Sequence, residues 1–235
     1  VYHKGSQLYG IHLARAEAAK SGAVVVVEGY VDALAMSQSG VPNVVAIMGT
    51  ALTDEQAQQL ERTAPSVLLA LDADRAGQAA MLKVGDVASG RRLELRVVPM
   101  PVGKDPGDLL LEEGPERLRS RVAASEPFVS FRVRSVLEGA DMSGAEGKDR
   151  ALAELRPIMA SQPPSVLREE LVRRIAAELD LSAEMVASLV TGPSVAPGGS
   201  RRGQSAPADP AAATPAISTD RVAQVERGFL STCAA

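Results

Sequence analysis

Val24-Val25-Val26-Val27 runs directly into Glu28-Gly29. Four consecutive β-branched residues with no polar alternation fit a strand buried on both faces, which requires a parallel sheet covered by helices on each side. Glu28 falls where that strand must end, and Gly29 offers a turn residue free of a Cβ. From Tyr30 the spacing turns helical, with Val31, Leu34 and Ala35 on one stripe and a stop at Gly40. Glu28 is thus expected at the carboxyl end of a strand and Asp32 at the start of the next helix. In open α/β sheets that crevice is where ligands bind.

A second acidic element has the same form. Val67-Leu68-Leu69-Ala70-Leu71 leads into Asp72-Ala73-Asp74-Arg75-Ala76-Gly77. Residues two apart on extended chain face one side, roughly 7 Å apart. Asp72 and Asp74 can then point together toward the crevice that Glu28 reaches. Carboxylates gathered in this way repel one another unless protonated or neutralised by a cation. Hard oxygen donors favour Mg²⁺ or Mn²⁺.

The intervening chain alternates regularly. Ser6 is predicted to cap a helix that runs to about Lys20 and stops at Gly22. Strands at 23–28, 43–48, 67–72 and 93–98 interleave with helices at 30–39, 54–64 and 76–89, and Thr53 with Gln56 spells a capping box for the second of these. Such alternation implies right-handed crossovers and a doubly wound, largely parallel α/β sheet. Its core should include Val25, Val27, Val45, Ile47, Leu69, Leu71, Leu95 and Val97. After the connector Pro99–Gly103, Asp105 precedes Pro106, a residue suited to the first turn of a helix ending near Gly114. Helical patterns follow at 115–124, 126–138, 146–161, 164–179 and 182–190, the fourth with Leu167, Leu171, Ile175 and Leu179 on one face. Residues 192–219 are dominated by glycine, proline, serine and alanine, and cannot bury enough surface to offset their ordering entropy. A flexible linker is expected there. From Asp220 a short amphipathic stretch carries Val222, Val225 and Phe229 at helical spacing.

Composition narrows the classes further. No run of the 235 residues approaches 18 apolar positions, so no membrane span is expected. Nor does a basic segment followed by an apolar one open the sequence, so no secretory signal is expected. The single Cys233 cannot form an internal disulfide, in keeping with a reducing cytoplasm. One cysteine and two histidines do not supply the four ligands of a structural zinc site. The net charge of −4 argues against a dedicated basic nucleic-acid surface. A metal-dependent polymerase domain is exempt, because its own acidic cluster lowers the net charge.

Glu28-Gly29 followed by Asp72-x-Asp74 resembles the Toprim domain of bacterial primases, topoisomerases and some nucleases. The wider set resembles the bacterial DnaG-type replicative primase: His3-Lys4-Gly5 with Leu8-Tyr9-Gly10, Glu28-Gly29-Tyr30-Val31-Asp32, Gly49-Thr50-Ala51-Leu52-Thr53, Asp72-x-Asp74-x-Ala76-Gly77 and Gly103-Lys104-Asp105-Pro106. It extends from about Tyr2 to Val190. The organisation it implies is the end of the N-terminal part of a catalytic core at 1–22, a Toprim domain at 23–103 and a helical subdomain at 104–191. A flexible linker at 192–219 and the start of a helicase-binding module at 220–235 would follow. The sequence then reads as a fragment, with zinc expected only in a missing N-terminal module.

The activity implied by the resemblance is synthesis of short RNA primers on a single-stranded DNA template from ribonucleoside triphosphates, in the cytoplasm at the replication fork, beside the replicative helicase. Glu28, Asp72 and Asp74 would hold Mg²⁺ or Mn²⁺, with Asp32 and Asp105 extending the site. Lys4, Arg75 and Lys104 would contact phosphates. Each assignment has a plainer counterpart. Asp32 suits a first helical turn, Asp105 suits an N-cap, and Asp108 stands one place away from a second acidic position carried by some family members. Gly77 reads as a residue for close helix–strand packing, His12 as a helix-surface residue, and Arg117, Arg119 and Arg121 as a solvated face. Two other functions use the same residues. A Toprim nuclease or topoisomerase would cut DNA with these acids, although Tyr2, Tyr9 and Tyr30 lack a dedicated domain for a tyrosine nucleophile. A non-catalytic nucleic-acid or protein-binding module would leave the acids idle.

Overall fold

A computed structural model describes residues 4–49, 52–71, 75–88 and 90–191, without the side chains of Lys4, Arg75, Ala76, Gln78 and Thr191. Asp72, Asp74, the expected linker and the amphipathic stretch beyond it lie outside the described residues.

The valine run behaves as its chemistry requires. Strand β1 (Ala23–Val27) sends Val24 and Val26 into one apolar layer and Val25 and Val27 into another, all four fully buried. Helices therefore pack on both faces. On the first lie α1 (Ile11–Ser21), α3 (Asp54–Thr63) and α4 (Arg75–Ala88), through Ala14, Ala18, Ala57, Leu60, Met81 and Val84. The second is covered by α2 (Tyr30–Gln38), α5 (Pro106–Glu113) and α6 (Pro115–Ala123), through Ala33, Met36, Leu109 and Leu118.

Strands β2 (Val44–Ala46), β3 (Ser66–Leu69) and β4 (Glu94–Val97) complete the parallel part, and the sheet order is β2-β1-β3-β4-β5. The fifth strand, β5 (Glu126–Pro127), was expected as the start of a helix. It pairs antiparallel with β4, Arg96 opposite Pro127 and Val97 opposite Glu126. The doubly wound sheet is therefore mixed. Because β2 and β3 flank β1 on opposite sides, the topological switch point lies between β1 and β3.

Four helices follow as a bundle with its own core: α7 (Phe128–Gly139), α8 (Ala145–Ala160), α9 (Val166–Leu179) and α10 (Ala183–Thr191), packed through Leu155, Met159, Ile175 and Leu179. Phe131 of α7 is the exception, since it belongs to the first sheet layer.

Three expectations need correction. The helix expected from Ser6 begins only at Ile11, because Gly10 adopts φ 78° and Tyr9 exchanges both backbone hydrogen bonds with Ala46 (2.9 and 3.1 Å). Leu95 is half-buried, since it lines a cavity of about 420 Å³ with Phe128, Ile158 and Leu167. Arg119 and Arg121 do not form a solvated face. They donate to the carbonyls of Ser39 (2.7 Å) and Pro99 (3.0 Å), and the Nε of Arg121 is buried with no hydrogen-bond partner. Arg117 does stay exposed, 3.0 Å from Glu113, as does His12. Among the described residues no helix is long and apolar enough to cross a membrane.

Candidate active site

Glu28 is the first residue past β1 and is half-buried. Its carbonyl accepts the Met48 amide (3.0 Å), and Met48 holds φ 58°, a left-handed conformation that costs a residue with a Cβ roughly 1–2 kcal/mol. Strain of this kind persists where neighbouring structure over-determines the backbone. The next amide, that of Gly29, donates to Asp32 Oδ2 (2.9 Å). Both polar atoms of the peptide that follows Glu28 are thereby held. Gly29 itself has φ −110°, which any residue adopts. Glycine matters there because a Cβ would lie 3.1 Å from the Asp32 carboxylate.

Since Val26 pairs with Leu69, continuation of the register sets Glu28 level with Leu71, the residue before Asp72. Leu71, the last described residue before the second acidic element, therefore stands at the switch point beside Glu28. A third approaches from the other face of the sheet. Leu109 is fully buried against Ala33 and Met36, which docks α5 on α2. A Cβ at Gly107 would lie 3.9 Å from Val31 and 3.1 Å from Asp105 Oδ1, so the Asp105 turn stands beside the first turn of α2. Glu28, Asp32 and the Asp105 turn all lie toward the carboxyl end of the sheet. Asp105 is also an N-cap. Its Oδ1 accepts the Asp108 amide (2.7 Å), while Asp108 returns a long contact of 3.5 Å to the Asp105 amide and is exposed.

Lys104 is engaged elsewhere. Its ammonium pairs with Glu112, and that hydrogen bond holds its pKa above the ordinary lysine value. Lys4 begins a three-residue 3₁₀ turn, Lys4–Ser6, and Arg75 begins α4. Gly77 is buried. Among the described residues no three His, Cys, Asp or Glu converge as a metal site. The acidic positions at this end of the sheet are all carboxylates, the chemistry that suits a hard divalent cation.

The Lys4 turn carries contacts that the sequence reading missed. Thr53 Oγ1 donates to the Gly5 carbonyl (2.6 Å), Gln59 Nε2 to that of Ser6 (2.6 Å) and Gln56 Nε2 to that of Gln7 (3.0 Å). The sequence showed Thr53 and Gln56 only as a capping box. That box is present, with Gln56 N donating to Thr53 Oγ1 (3.2 Å) and Thr53 N to Gln56 Oε1 (3.1 Å).

Comparison with known proteins follows the same division of the chain. A Toprim-like family profile matches residues 25–110, and the profile of the DnaB-helicase binding domain of primase matches residues 129–184. The DNA primase of Deinococcus radiodurans is 39% identical over 179 residues, 76% of this chain and 31% of that protein. The DNA primase of Pseudomonas aeruginosa is 32% identical over 195 residues, 80% of this chain and 29% of that protein. The chain belongs to the DnaG-type DNA primases.

This primase chain spans about a third of the length of those relatives. Its fold is similar to the RNA polymerase domain of Mycobacterium tuberculosis primase DnaG in complex with double-stranded DNA, with TM-score 0.64, 35% identity, and coverage of 77% of this chain and 59% of that one. It is also similar to a DnaG primase catalytic domain bound to ssDNA, with TM-score 0.62, 32% identity, and coverage of 79% and 60%. The helicase-binding profile falls on the helices from α7 to α10, within the expected helical subdomain, and does not extend to residues 220–235.

Proposed function

We propose that this chain carries the metal-binding part of a primase catalytic centre, which makes short RNA primers on single-stranded DNA from ribonucleoside triphosphates. The observation that carries the reading is the placement of Glu28, Asp32 and the Asp105 turn around the carboxyl end of the sheet, next to its switch point. The peptide after Glu28 is held at both its carbonyl and its amide, the chain of the neighbouring strand continues into Asp72-x-Asp74, and the docking of α5 on α2 sets the Asp105 turn beside the first turn of α2.

Glu28, Asp72 and Asp74 would hold Mg²⁺ or Mn²⁺, with Asp32 and Asp105 at the margin. Bound there, the cation would supply charge neutralisation for the attacking 3′-hydroxyl and the departing pyrophosphate. The chain's own contribution is placement. The hydrogen-bonded peptide after Glu28 would set that carboxylate before substrate arrives, so little reorganisation would be needed there during reaction. Lys4 would meet a nucleotide or template phosphate, and Arg75 and Lys104 would add local positive charge.

The partners follow from the relatives. A similar catalytic domain is bound to ssDNA, and the helicase-binding profile on residues 129–184 supports contact between the α7–α10 bundle and a replicative helicase. We assign residues 23–103 to the Toprim domain, 104–191 to the helical subdomain, 192–219 to a linker and 220–235 to the start of a further module. Action at the cytoplasmic replication fork is the corresponding location.

Asp72→Asn and Asp74→Asn test the reading. Each is expected to abolish primer synthesis by the full-length protein and to weaken Mn²⁺ binding by the chain in calorimetry, without lowering the melting temperature. Primer yield near wild type from either variant would overturn the assignment.

A further inference from the structure

Helix α3 grips the Lys4 turn by three consecutive carbonyls. Thr53 takes Gly5, Gln59 takes Ser6 and Gln56 takes Gln7, across separations of 48, 53 and 49 residues. A capping box does not require these bonds. It uses the Oγ1 acceptor of Thr53 and the Oε1 of Gln56, leaving the hydroxyl hydrogen and the Gln56 Nε2 group to spare, and both are directed out of the helix. Gln59 adds a third donor one turn nearer the helix centre. A 3₁₀ turn of three residues has little internal hydrogen bonding with which to hold itself, so its position is set by what grips it.

Gln56 does more than grip. Its Nε2 also donates to the carbonyl of Ile47 (3.1 Å), and the following residue, Met48, donates its amide to the carbonyl of Glu28. A continuous path of hydrogen bonds and one peptide unit therefore runs from Gln7, the residue that follows the Lys4 turn, through Gln56 to Glu28. Gln56 is only 1% exposed, so water cannot readily stand in for it.

We infer that Thr53, Gln56 and Gln59 are positioning residues for the primase reaction, setting the Lys4 turn at a fixed distance from Glu28 and so registering the phosphate-contacting lysine against the metal-binding carboxylates. The inference rests on the reading of Lys4 as a phosphate contact. In this role the three act through the backbone that carries Lys4.

The test is the KM for nucleoside triphosphate in primer synthesis by the full-length protein, measured for Lys4→Ala, Gln56→Met, Gln59→Ala and the two clamp changes in the Lys4→Ala background. Lys4→Ala should raise KM about tenfold, as loss of a charge-assisted contact does. Gln56→Met and Gln59→Ala should each raise KM at least about threefold, and neither should raise it further once Lys4 is gone, because coupled residues fail to add. Gln59 is partly exposed and makes one such bond, so Gln59→Ala carries the test should Gln56→Met fail to fold. If Lys4→Ala raises KM while folded clamp variants do not, the clamp is overturned and the reading of Lys4 stands. If clamp variants raise KM equally with and without Lys4, their effect does not pass through the lysine and the inference is likewise overturned. If Lys4→Ala leaves KM unchanged, the reading of Lys4 itself falls.

Discussion

Asp32 closes the turn after β1 by accepting the Gly29 amide through Oδ2 at 2.9 Å. The motif Glu28-Gly29-Tyr30-Val31-Asp32 is thus a strand end and a helix start joined by one side chain, and its last carboxylate has a structural occupation whatever else it does.

Substitution separates the two roles. Asparagine can still accept the Gly29 amide, so Asp32→Asn should keep the turn and lose the interaction of its charge with the helix dipole, about 0.3–1 kcal/mol. Asp32→Ala should lose in addition a hydrogen bond worth roughly 0.5–1.5 kcal/mol. Urea unfolding ranks them. Asp32→Asn is also expected to weaken Mn²⁺ binding, and calorimetry giving wild-type affinity would confine Asp32 to the turn.

Asp105 and Asp108 form a pair of unequal members. Asp105→Asn keeps a side-chain acceptor for the Asp108 amide, so stability should change by less than about 1 kcal/mol while Mn²⁺ affinity falls. Asp108→Asn should cost only a dipole contribution of about 0.3–1 kcal/mol and leave metal affinity near wild type. A larger loss of Mn²⁺ affinity from Asp108→Asn would place the outer ligand one turn along α5.

Much of this local geometry is visible in sequence because it is short-range. Acceptor and amide three residues apart spell the turns at Asp32, Thr53 and Asp105, and the valine run specifies a doubly covered strand without further context. Contacts made across the fold leave no such pattern. Nothing near Gln59 announces that it will hold the carbonyl of Ser6, and Glu126-Pro127 becomes a strand only because β4 offers it an edge. The same limit applies to Arg121, whose polar spacing suggests solvent until α6 is seen packed under the Pro99 connector.

Gly147 in the first turn of α8 tests close packing. A Cβ there would run into the carbonyl oxygen of Asp141, a backbone atom that cannot swing aside. Alanine improves helix propensity by about 1 kcal/mol over glycine, but crowding of this kind costs about 1–3 kcal/mol or more. Gly147→Ala is therefore expected to lower the melting temperature, and a stabilised variant would show that the loop before α8 yields freely.

The same loop should contribute to acid sensitivity. The hydroxyl and amide of Ser143 both donate to Asp141 Oδ1 (2.6 and 3.0 Å) and hold that carboxyl below its ordinary pKa. A depressed folded-state pKa gives stability that is present above the unfolded value, near 3.8, and lost as pH falls through the folded one. Ser143→Ala removes the first of the two donors and should flatten the acid limb of the stability profile below about pH 4, with little effect at pH 7. An unchanged acid limb would mean that Asp141 titrates alike in folded and unfolded chains.

Phe131 fills the sheet layer that also holds Val24 and Met81, while Leu109 and Leu118 fill the opposite one. A gene fusion or domain graft that carried only residues 23–103 would strip side chains from both faces at once, each worth about 1.5–3 kcal/mol of burial. The unit that can be transplanted between primases is therefore longer than its sequence motifs suggest, and extends at least through α7. Inheritance as one block with the first helix of the bundle follows from the packing, without any demand from catalysis.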